Sequence, residues 1–219
     1  MKVLVTGGAG FIGSHIVEQL IEDKKVTKIV VLDHLEDGSI KNIKHYLKSK
    51  KILFKKADIR KKILIEKYFS KIDCVIHLAA LSDVVPSIEQ PIEYLNNNIM
   101  GTVNVLESMR KHSVKKIIYA ASSSCYGLAK KVPTSETDKI DTKYPYAFSK
   151  YIGELTIQHW SNVYGINYIS LRLFNVYGTR SRTHGAYGAA LGVFLKQKLS
   201  NKPLTIVGNG KQSRDFVYV

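Results

Sequence analysis

The chain is poor in cysteine, with only Cys74 and Cys125 among its 219 residues. Each lies in or beside an apolar run, so the sequence predicts no disulfide framework and favours a reducing compartment. No apolar run approaches the roughly 20 residues that span a bilayer, which argues against a membrane-spanning protein. Residues 2–6 already have the composition of a strand and leave no room for a secretory signal peptide. We therefore expect a soluble cytoplasmic protein.

Acidic residues are also scarce, because 18 Asp and Glu stand against 33 Lys and Arg and give a formal net charge of +15. Such a charge can attract nucleic acids or membrane surfaces. The lysines, however, are scattered in short clusters without an aromatic-interleaved stripe, and charge alone gives only non-specific attraction. We predict no nucleic-acid partner and no membrane partner. The positive potential would suit a substrate that carries a diphosphate.

The residues that are present suffice for a globular core, since 45% are hydrophobic. Strand-like runs rich in Val, Ile and Tyr alternate with helical patterns. The predicted strands cover residues 2–6, 28–33, 51–54, 73–78, 115–121 and 166–173. Alternating strands and helices indicate an α/β fold, a doubly wound parallel sheet. The two longest predicted helices cover residues 92–112 and 144–164.

The pattern changes after about residue 174, where glycines interrupt it. These glycines are Gly178, Gly185, Gly188 and Gly192. We predict a nucleotide-binding domain over residues 1–174 and a partial, truncated substrate-binding lobe over residues 175–219. In that lobe we expect a glycine-interrupted helix near 186–200 and a short strand at 204–207.

A glycine-rich loop follows the first predicted strand and precedes a helical pattern. Gly8, Gly10 and Gly13 fit the dinucleotide-binding spacing, and Gly7 with Gly10 and Gly13 fits a looser variant. In such loops one glycine permits the tight turn, one lets the backbone approach a pyrophosphate, and one lets the helix pack on the strand. The helix N-terminus adds free N–H groups and positive dipole charge for the phosphates.

An acid supports the same interpretation, because the second predicted strand ends in Asp33, about 20 residues after the loop. A carboxylate there binds ribose hydroxyls and repels a 2′-phosphate. The glycine loop and Asp33 together predict a Rossmann-type site for NAD rather than NADP.

Two further groups of residues indicate proton chemistry. Tyr146 and Lys150 are four residues apart in a helical pattern, so they share a face, and a nearby ammonium favours the phenolate. In a chain with 13 tyrosines a solvated helix face explains this pair equally well. Hydroxyls at residues 122–124 follow the fifth predicted strand, where ligands bind in such sheets, although a serine-rich turn has the same composition.

The chain resembles the extended short-chain dehydrogenase/reductase family, and within it the nucleotide-sugar epimerases and dehydratases. The matching stretches run in family order over the whole chain. They are TGGAGFIGSH (6–15), LD (32–33), ADIR (57–60), HLAA (77–80), NIMGTVNVLE (98–107), SSSCYG (122–127), YPYAFSK (144–150), LRLFNVYG (171–178) and RDFVYV (214–219).

This resemblance implies a set of site residues and no metal ligands. The implied catalytic residues are Ser122, Tyr146 and Lys150. The implied NAD-binding residues are Gly7, Gly10, Phe11, Ile12, Gly13, Asp33, Asp58, Ile59, Leu78, Ala79, Ala80, Asn98, Tyr146, Lys150 and Phe174. The implied substrate-binding residues are Ser122, Tyr146, Asn175 and Arg214, of which the last two would hold the diphosphate.

The reaction is implied by the residues before the Tyr126-Gly127 dipeptide. Family dehydratases carry Thr-Asp-Glu there, because elimination of water needs an acid and a base, whereas residues 122–124 of this chain are serines. The serine version resembles 4-epimerases, which invert C4 of a UDP-hexose through a transient 4-keto sugar. A nucleotide-sugar dehydrogenase or reductase, a dehydratase, and a non-catalytic nucleotide-binding module stay open as alternatives.

The chain departs from the family pattern in two respects. Asp83 stands where relatives carry a small or hydroxyl residue, and we expect it to alter sugar contacts. Relatives continue for roughly another hundred residues past the match at residues 214–219, a typical small-domain increment. We therefore expect the chain to bind NAD but to bind and turn over a UDP-sugar poorly.

The resemblance also implies a homodimer, formed by the helices at 92–112 and 144–164. Each of these helices carries apolar residues on more than one face. Among them are Val103, Leu106, Met109, Ile152, Leu155 and Ile157.

Overall fold

Six parallel strands form the central sheet of the computed structural model, which describes residues 1–128, 131–181, 190–206 and 208–219. The strands are β1 (Lys2–Thr6), β2 (Lys28–Asp33), β3 (Ile52–Lys56), β4 (Cys74–His77), β5 (Lys116–Ser122) and β6 (Asn167–Leu173). Their order across the sheet is β3-β2-β1-β4-β5-β6. This order places the start of the chain at the centre of the sheet, so the predicted doubly wound fold is confirmed.

Helices cover both faces of this sheet. They are α1 (Phe11–Glu22), α2 (Lys62–Ile65), α3 (Val84–Glu89), α4 (Pro91–Leu95), α5 (Gly101–Lys111) and α6 (Pro145–Tyr164), and a further helix, α7 (Ala190–Leu199), follows the last strand of this sheet in the chain. Shorter 3-10 turns lie at Ile40–Asn42, Lys44–Lys48, Glu66–Phe69 and Ser123–Tyr126. In the part of the chain that the structure describes, no helix combines the length and apolar character needed to cross a membrane.

The helix that the sequence predicts over residues 92–112 is divided into three parts. A π-helical segment, Asn96–Met100, separates α4 from α5. The wider turn buries two consecutive polar residues, Asn97 and Asn98. Such π-helical turns often occur at functional sites.

Alternating side chains of the strands build a core on each face of the sheet. Leu4, Val75 and Ile117 pack with residues of α5 and α6 on one face. Val3 and Val5 pack with residues of α1 and β2 on the other face. Because successive side chains of a strand point to opposite faces, both sets must be apolar. This burial on both sides explains the nearly continuous apolar runs in the sequence.

Residues beyond β6 form a separate, smaller unit. β7 (Asn175–Tyr177) pairs in parallel with β8 (Phe216–Tyr218). The predicted glycine-interrupted helix is α7, which contains Gly192. Gly185 and Gly188 lie outside the described residues. The domain boundary at residue 174 stays a prediction.

The strand that the sequence predicts at 204–207 is not formed over residues 204–206, and residue 207 lies outside the described residues. The Gln197 side chain of α7 takes the place of a neighbouring strand. Its Oε1 accepts the Thr205 N–H at 3.1 Å, and its Nε2 donates to Thr205 Oγ1 at 2.7 Å. The polar groups of this segment are therefore bound by a side chain rather than by a strand.

Candidate active site

The glycine loop joins β1 to α1 and is shaped by close backbone contacts. Gly7 has a φ of +71°, and a Cβ there would lie 2.7 Å from the backbone nitrogen of Ala79. A Cβ at Gly13 would overlap the Gly7 carbonyl oxygen and lie 2.8 Å from the Gly8 Cα. Gly8 itself faces Val31, whose Cγ1 would lie 2.7 Å from an added Cβ. Both glycine spacings in the sequence are therefore used. Gly8, from the first spacing, allows packing against Val31, and Gly7, from the looser spacing, forms the turn.

Asp33 ends β2 behind this loop, and its side chain is buried. Its carboxylate accepts the backbone N–H of Ala9 at 2.9 Å and that of Leu35 at 2.8 Å. Gly38 packs directly against both carboxylate oxygens. A negative charge is thus held in one position at the end of the strand.

A cavity of about 410 Å³ extends along the carboxyl ends of β1, β2, β4 and β5. Fourteen of the predicted site residues line it. They are Gly7, Gly10, Phe11, Ile12, Gly13, Asp33, Ile59, Leu78, Ala79, Ala80, Ser122, Tyr146, Lys150 and Phe174. The structure therefore brings the glycine loop, the acid and the Ser/Tyr/Lys group together around one space.

Two predicted residues, Asp58 and Asn98, lie behind the cavity wall. Asp58 is paired with the guanidinium of Arg60, whose Nη2 lies 2.9 Å from Asp58 Oδ2. Asn98 is buried, and its amide binds the backbone of Leu81 and the hydroxyl of Ser149 at 2.8–3.0 Å. Neither side chain lines the cavity, but Asn98 holds the backbone of Leu81, which does line it.

The two residues expected to hold a diphosphate, Asn175 and Arg214, lie on the β7–β8 unit and not in the cavity wall. Asn175 Nδ2 donates to the backbone oxygen of Asp215 at 2.9 Å. Arg214 is exposed and donates to the backbone oxygen of Ser213. The pairing of β7 with β8 places these two positions close together, although 39 residues separate them in the sequence.

Tyr146 and Lys150 occupy the first two turns of α6 and both face the cavity. Burial raises the pKa of Tyr146, a hydrogen bond from Ser122 opposes this effect, and the charge of Asp83 adds to it. Lys150 is 3% exposed, and burial lowers its pKa to about 7. The pair is thus a phenol and an amine whose ionisation is controlled by a desolvated site.

The Ser122 hydroxyl lies at the end of β5, where it caps the turn Ser123–Tyr126. Its Oγ accepts the backbone N–H of Ser124 at 3.2 Å and lies 2.8 Å from the Ser124 hydroxyl. Ser122 and Tyr146 line the same cavity, and Ser122 lowers the pKa of the phenol, so the serine can pass a proton between the phenol and a bound hydroxyl.

A directed series of hydrogen bonds holds the cavity wall formed by Leu78 and Ala79. Thr6 Oγ1 accepts both of their backbone N–H groups at 3.2 Å, so its own proton goes to His77 Nδ1 at 2.6 Å. His77 Nε2 then donates to Thr102 Oγ1 at 3.0 Å, and Thr102 donates to the Asn98 carbonyl at 2.5 Å. Burial, and then the charge of Lys150, lowers the pKa of His77 to about 3. The imidazole is therefore neutral and has one tautomer.

Sequence reasoning missed Arg180, which lies two residues beyond the last residue of the LRLFNVYG stretch. It adopts a left-handed φ of +65° and lines the cavity beside the glycine loop. Its Nη2 lies 2.6 Å from Glu18 Oε2, and its Nη1 lies 3.4 Å from Ser14 Oγ, so it adds positive charge near the start of α1. The other unpredicted lining residues are Leu32, His34, Asp37, Gly38, Asn42, Ala57, Leu81, Ser82, Asn97, Ala120, Ala121, Leu173 and Val176.

A sequence profile described as the NAD dependent epimerase/dehydratase family matches residues 3–219. The chain belongs to this family. One relative, a Methanocaldococcus jannaschii protein with the provisional name UDP-glucose 4-epimerase, is 43% identical over 219 residues. The match covers 99% of this chain and 69% of that protein.

Solved structures of the family superpose closely on the chain. The UDP-N-acetylglucosamine 4-epimerase of Methanobrevibacter ruminantium M1 is 35% identical with a TM-score of 0.93, over 99% of this chain and 68% of that one. The UDP-glucose 4-epimerase of Thermotoga maritima is 36% identical with a TM-score of 0.92, over 100% of this chain and 69% of that one. The predicted family and fold class are therefore confirmed.

NAD is the cofactor of this family, as the sequence predicts. The cavity fits it at two parts of the molecule, the pyrophosphate and a ribose. The glycine loop exposes backbone where any Cβ would intrude, at the positive end of α1, which suits a pyrophosphate. Asp33 presents a fixed carboxylate where ribose hydroxyls would bind.

We expect the chain to bind NAD at least about tenfold more tightly than NADP, because the fixed charge of Asp33 repels a 2′-phosphate. Titration of both cofactors under equal conditions, by calorimetry, measures this difference. Asp33→Asn keeps the size of the side chain and should reduce the difference between the affinities for NAD and NADP. Tighter binding of NADP to the unmodified chain would contradict the role of Asp33.

Proposed function

We propose that this chain is an NAD-dependent nucleotide-sugar 4-epimerase that inverts C4 of a UDP-hexose. The observation that carries the proposal is the serine cluster at residues 122–124, whose Ser122 lines the same cavity as Tyr146. Family dehydratases resemble one another in carrying Thr-Asp-Glu at these positions. A set of hydroxyls supports removal and return of a proton at one sugar oxygen, but supplies no carboxylate for eliminating water.

Each residue of the group has a distinct part in this reaction. Tyr146 accepts the proton of the sugar 4-hydroxyl, and Ser122 hydrogen-bonds the same oxygen and relays the proton. The Lys150 ammonium favours the phenolate of Tyr146, since an opposite charge lowers the pKa of an acid. When bound, NAD supplies the acceptor and donor of the hydride. Because the proton and the hydride return, the reaction causes no net oxidation.

The β7–β8 unit would hold the substrate through its diphosphate. Asn175 offers amide hydrogens and Arg214 offers an exposed guanidinium, which binds phosphate oxygens well. The names of the relatives, which include UDP-glucose and UDP-N-acetylglucosamine 4-epimerases, support a uridine nucleotide. We propose both residues as the diphosphate contacts, with Phe174 beside the nicotinamide.

A dehydratase is the second candidate, because one carboxylate does lie near Tyr146. Asp83 directly precedes α3, and its charge helps to raise the pKa of Tyr146. A carboxylate close enough to affect the pKa of Tyr146 could assist departure of a sugar hydroxyl. The products of the reaction distinguish the two candidates.

Incubation with NAD and UDP-glucose, UDP-galactose or their N-acetyl forms tests the proposal. Slow interconversion of the C4 epimers, without accumulation of NADH, is the expected result. A 4-keto-6-deoxy sugar would establish the dehydratase, and free NADH in proportion to substrate would establish a dehydrogenase. Binding of NAD and UDP-sugar with no product at all would leave a nucleotide-binding module.

The carboxylate of Asp83 should move the pH dependence of turnover. Asp83→Asn removes a negative charge that disfavours the Tyr146 phenolate, so the acidic limb of the pH–rate profile should shift to lower pH. Asp73→Asn, at the far end of β4, serves as a control and should leave the limb in place. An unchanged or upward-shifted limb in Asp83→Asn would contradict this assignment.

We also propose that two copies associate through α5 and α6, and we expect a dimer by light scattering at micromolar concentration. Leu106, Met109 and Ile157 are fully buried in the core of one copy and cannot form the interface. Phe148 and Leu155, which are 44% and 38% exposed on α6, remain available for it.

Phe148→Glu together with Leu155→Glu should therefore yield a monomer. Ile63→Glu on α2, an equally polar change at a residue that is 86% exposed, should leave the dimer intact. A monomeric parent chain would disprove the association.

A further inference from the structure

A buried aromatic ring lies beneath Lys150. Tyr119 of β5 is 1% exposed, and the centroid of its ring lies 4.2 Å from Lys150 Nζ. The Tyr119 hydroxyl also donates to the backbone oxygen of Lys150 at 3.3 Å. One side chain thus contacts both the charged end and the backbone of the lysine.

The space for this ring is made by a glycine in the middle of α6. A Cβ at Gly153 would lie 2.5 Å from the Tyr119 hydroxyl oxygen, so any larger residue would displace the ring. Glycine is unfavourable inside a helix, and α6 nevertheless carries it at this contact. Gly153 of α6 therefore leaves the space that the Tyr119 phenol occupies.

A second neighbour of the ring is an uncharged group. The ring of His77 lies 5.6 Å from that of Tyr119 at an interplanar angle of 32°. Both imidazole nitrogens are occupied by Thr6 and Thr102, which keeps His77 neutral. Because His77 is neutral, Lys150 is the cation that the ring of Tyr119 contacts.

The surroundings of Lys150 offer little else to balance its charge. In the described ranges no carboxylate forms an ion pair with it. The groups near it are Tyr146 from its own helix, Tyr119 from β5 and His77 from β4. More distant charges act on these neighbours, Asp83 on Tyr146 and Glu154 on Tyr119.

We propose that Tyr119 is a positioning residue, which holds the Lys150 ammonium on the face of its ring and so keeps the lysine cationic beside Tyr146. An aromatic face attracts a cation, and the attraction is strongest where both are desolvated. The importance of this effect for turnover rests on the proposed function. The ionisation of Lys150 itself can be measured without any substrate.

Nuclear magnetic resonance of the ¹⁵N-labelled lysine side chains tests the proposal, with Lys150→Arg used to assign the Nζ signal. In Tyr119→Leu we expect the pKa of Lys150 to fall by about 1, because the ring is lost. Tyr119→Phe keeps the ring and loses the hydroxyl, so it should restore most of the pKa. Phe69→Leu, a similar reduction of a fully buried ring elsewhere, should leave it unchanged.

An unchanged Lys150 pKa in folded Tyr119→Leu, or an equal fall in Tyr119→Phe, would overturn the proposal. If Tyr119→Leu does not fold, a series of fluorinated phenylalanines at position 119 replaces it. These rings keep their shape and lose electron density stepwise, so the pKa of Lys150 should fall in the same order. A Lys150 pKa that stays the same across the series would also overturn the proposal. The expected shifts in a chain without epimerase activity would support Tyr119 and reject the proposed function.

Discussion

Tyr146→Phe should lower turnover by about 10²–10⁴-fold while NAD affinity stays within about threefold, because general acid–base catalysis contributes this much and the ring is retained. The phenol hydroxyl is the group whose pKa Ser122 lowers, and in the proposed function the Lys150 ammonium favours its phenolate. Initial rates of epimer interconversion, with NAD binding measured separately by calorimetry, give the two numbers.

Tyr164→Phe provides the matched control, since Tyr164 lies at the opposite end of α6 and packs against Trp160. It should retain full turnover. A loss of less than tenfold in Tyr146→Phe would mean that another group takes the proton.

Gly13→Ala should weaken NAD binding by about 100-fold, which corresponds to about 2.7 kcal/mol. The new methyl group would overlap the Gly7 carbonyl oxygen and press on Gly8, so the loop must move from the position that suits a pyrophosphate. Alanine is favoured over glycine inside a helix, so the substitution does not weaken α1 itself. Calorimetric titration with NAD measures the loss.

Two other glycines calibrate this result. Gly10→Ala places its Cβ 3.1 Å from the Gly7 oxygen, a contact that a small shift relieves, and should cause a smaller loss. Gly165→Ala has no neighbour within 4 Å but sits at a φ of +64° after α6. It should lower the stability of the fold by about 1–2 kcal/mol and leave NAD affinity unchanged. If Gly13→Ala, Gly10→Ala and Gly165→Ala all kept the NAD affinity of the unmodified chain, the loop would be excluded as the pyrophosphate site.

The fold was predictable wherever burial acts on a whole segment. Strands such as β1 and β2 are buried on both faces, and this requirement appears in the sequence as continuous apolar runs. The helical period placed Tyr146 and Lys150 on one face, and the resemblance to the family then gave them a role. The glycine loop was found because a close backbone approach permits only one residue type.

Features that depend on distant partners were not predictable from local patterns. The π-helical turn at Asn96–Met100 arises where consecutive asparagines turn inward to meet other segments. Arg180 binds Glu18, which lies 162 positions away in the sequence, and no local pattern predicts such a contact. The segment at 204–206 has the composition of a strand, but the side chain of Gln197 binds its polar groups instead.

The directed hydrogen bonds through His77 make the two sides of the cavity mechanically unequal. On the sheet side, Thr6, His77 and Thr102 are all fully or almost fully buried, and reversing any one bond would leave a donor or acceptor unmatched. The β7–β8 sheet reaches the cavity through Val176, and Phe216, Val217 and Tyr218 of β8 are 42–64% exposed. Elements with few buried contacts open and shift most easily. Under the proposed function, we therefore expect adaptation to sugars of different bulk on the β7–β8 side, while the sheet side keeps a constant shape.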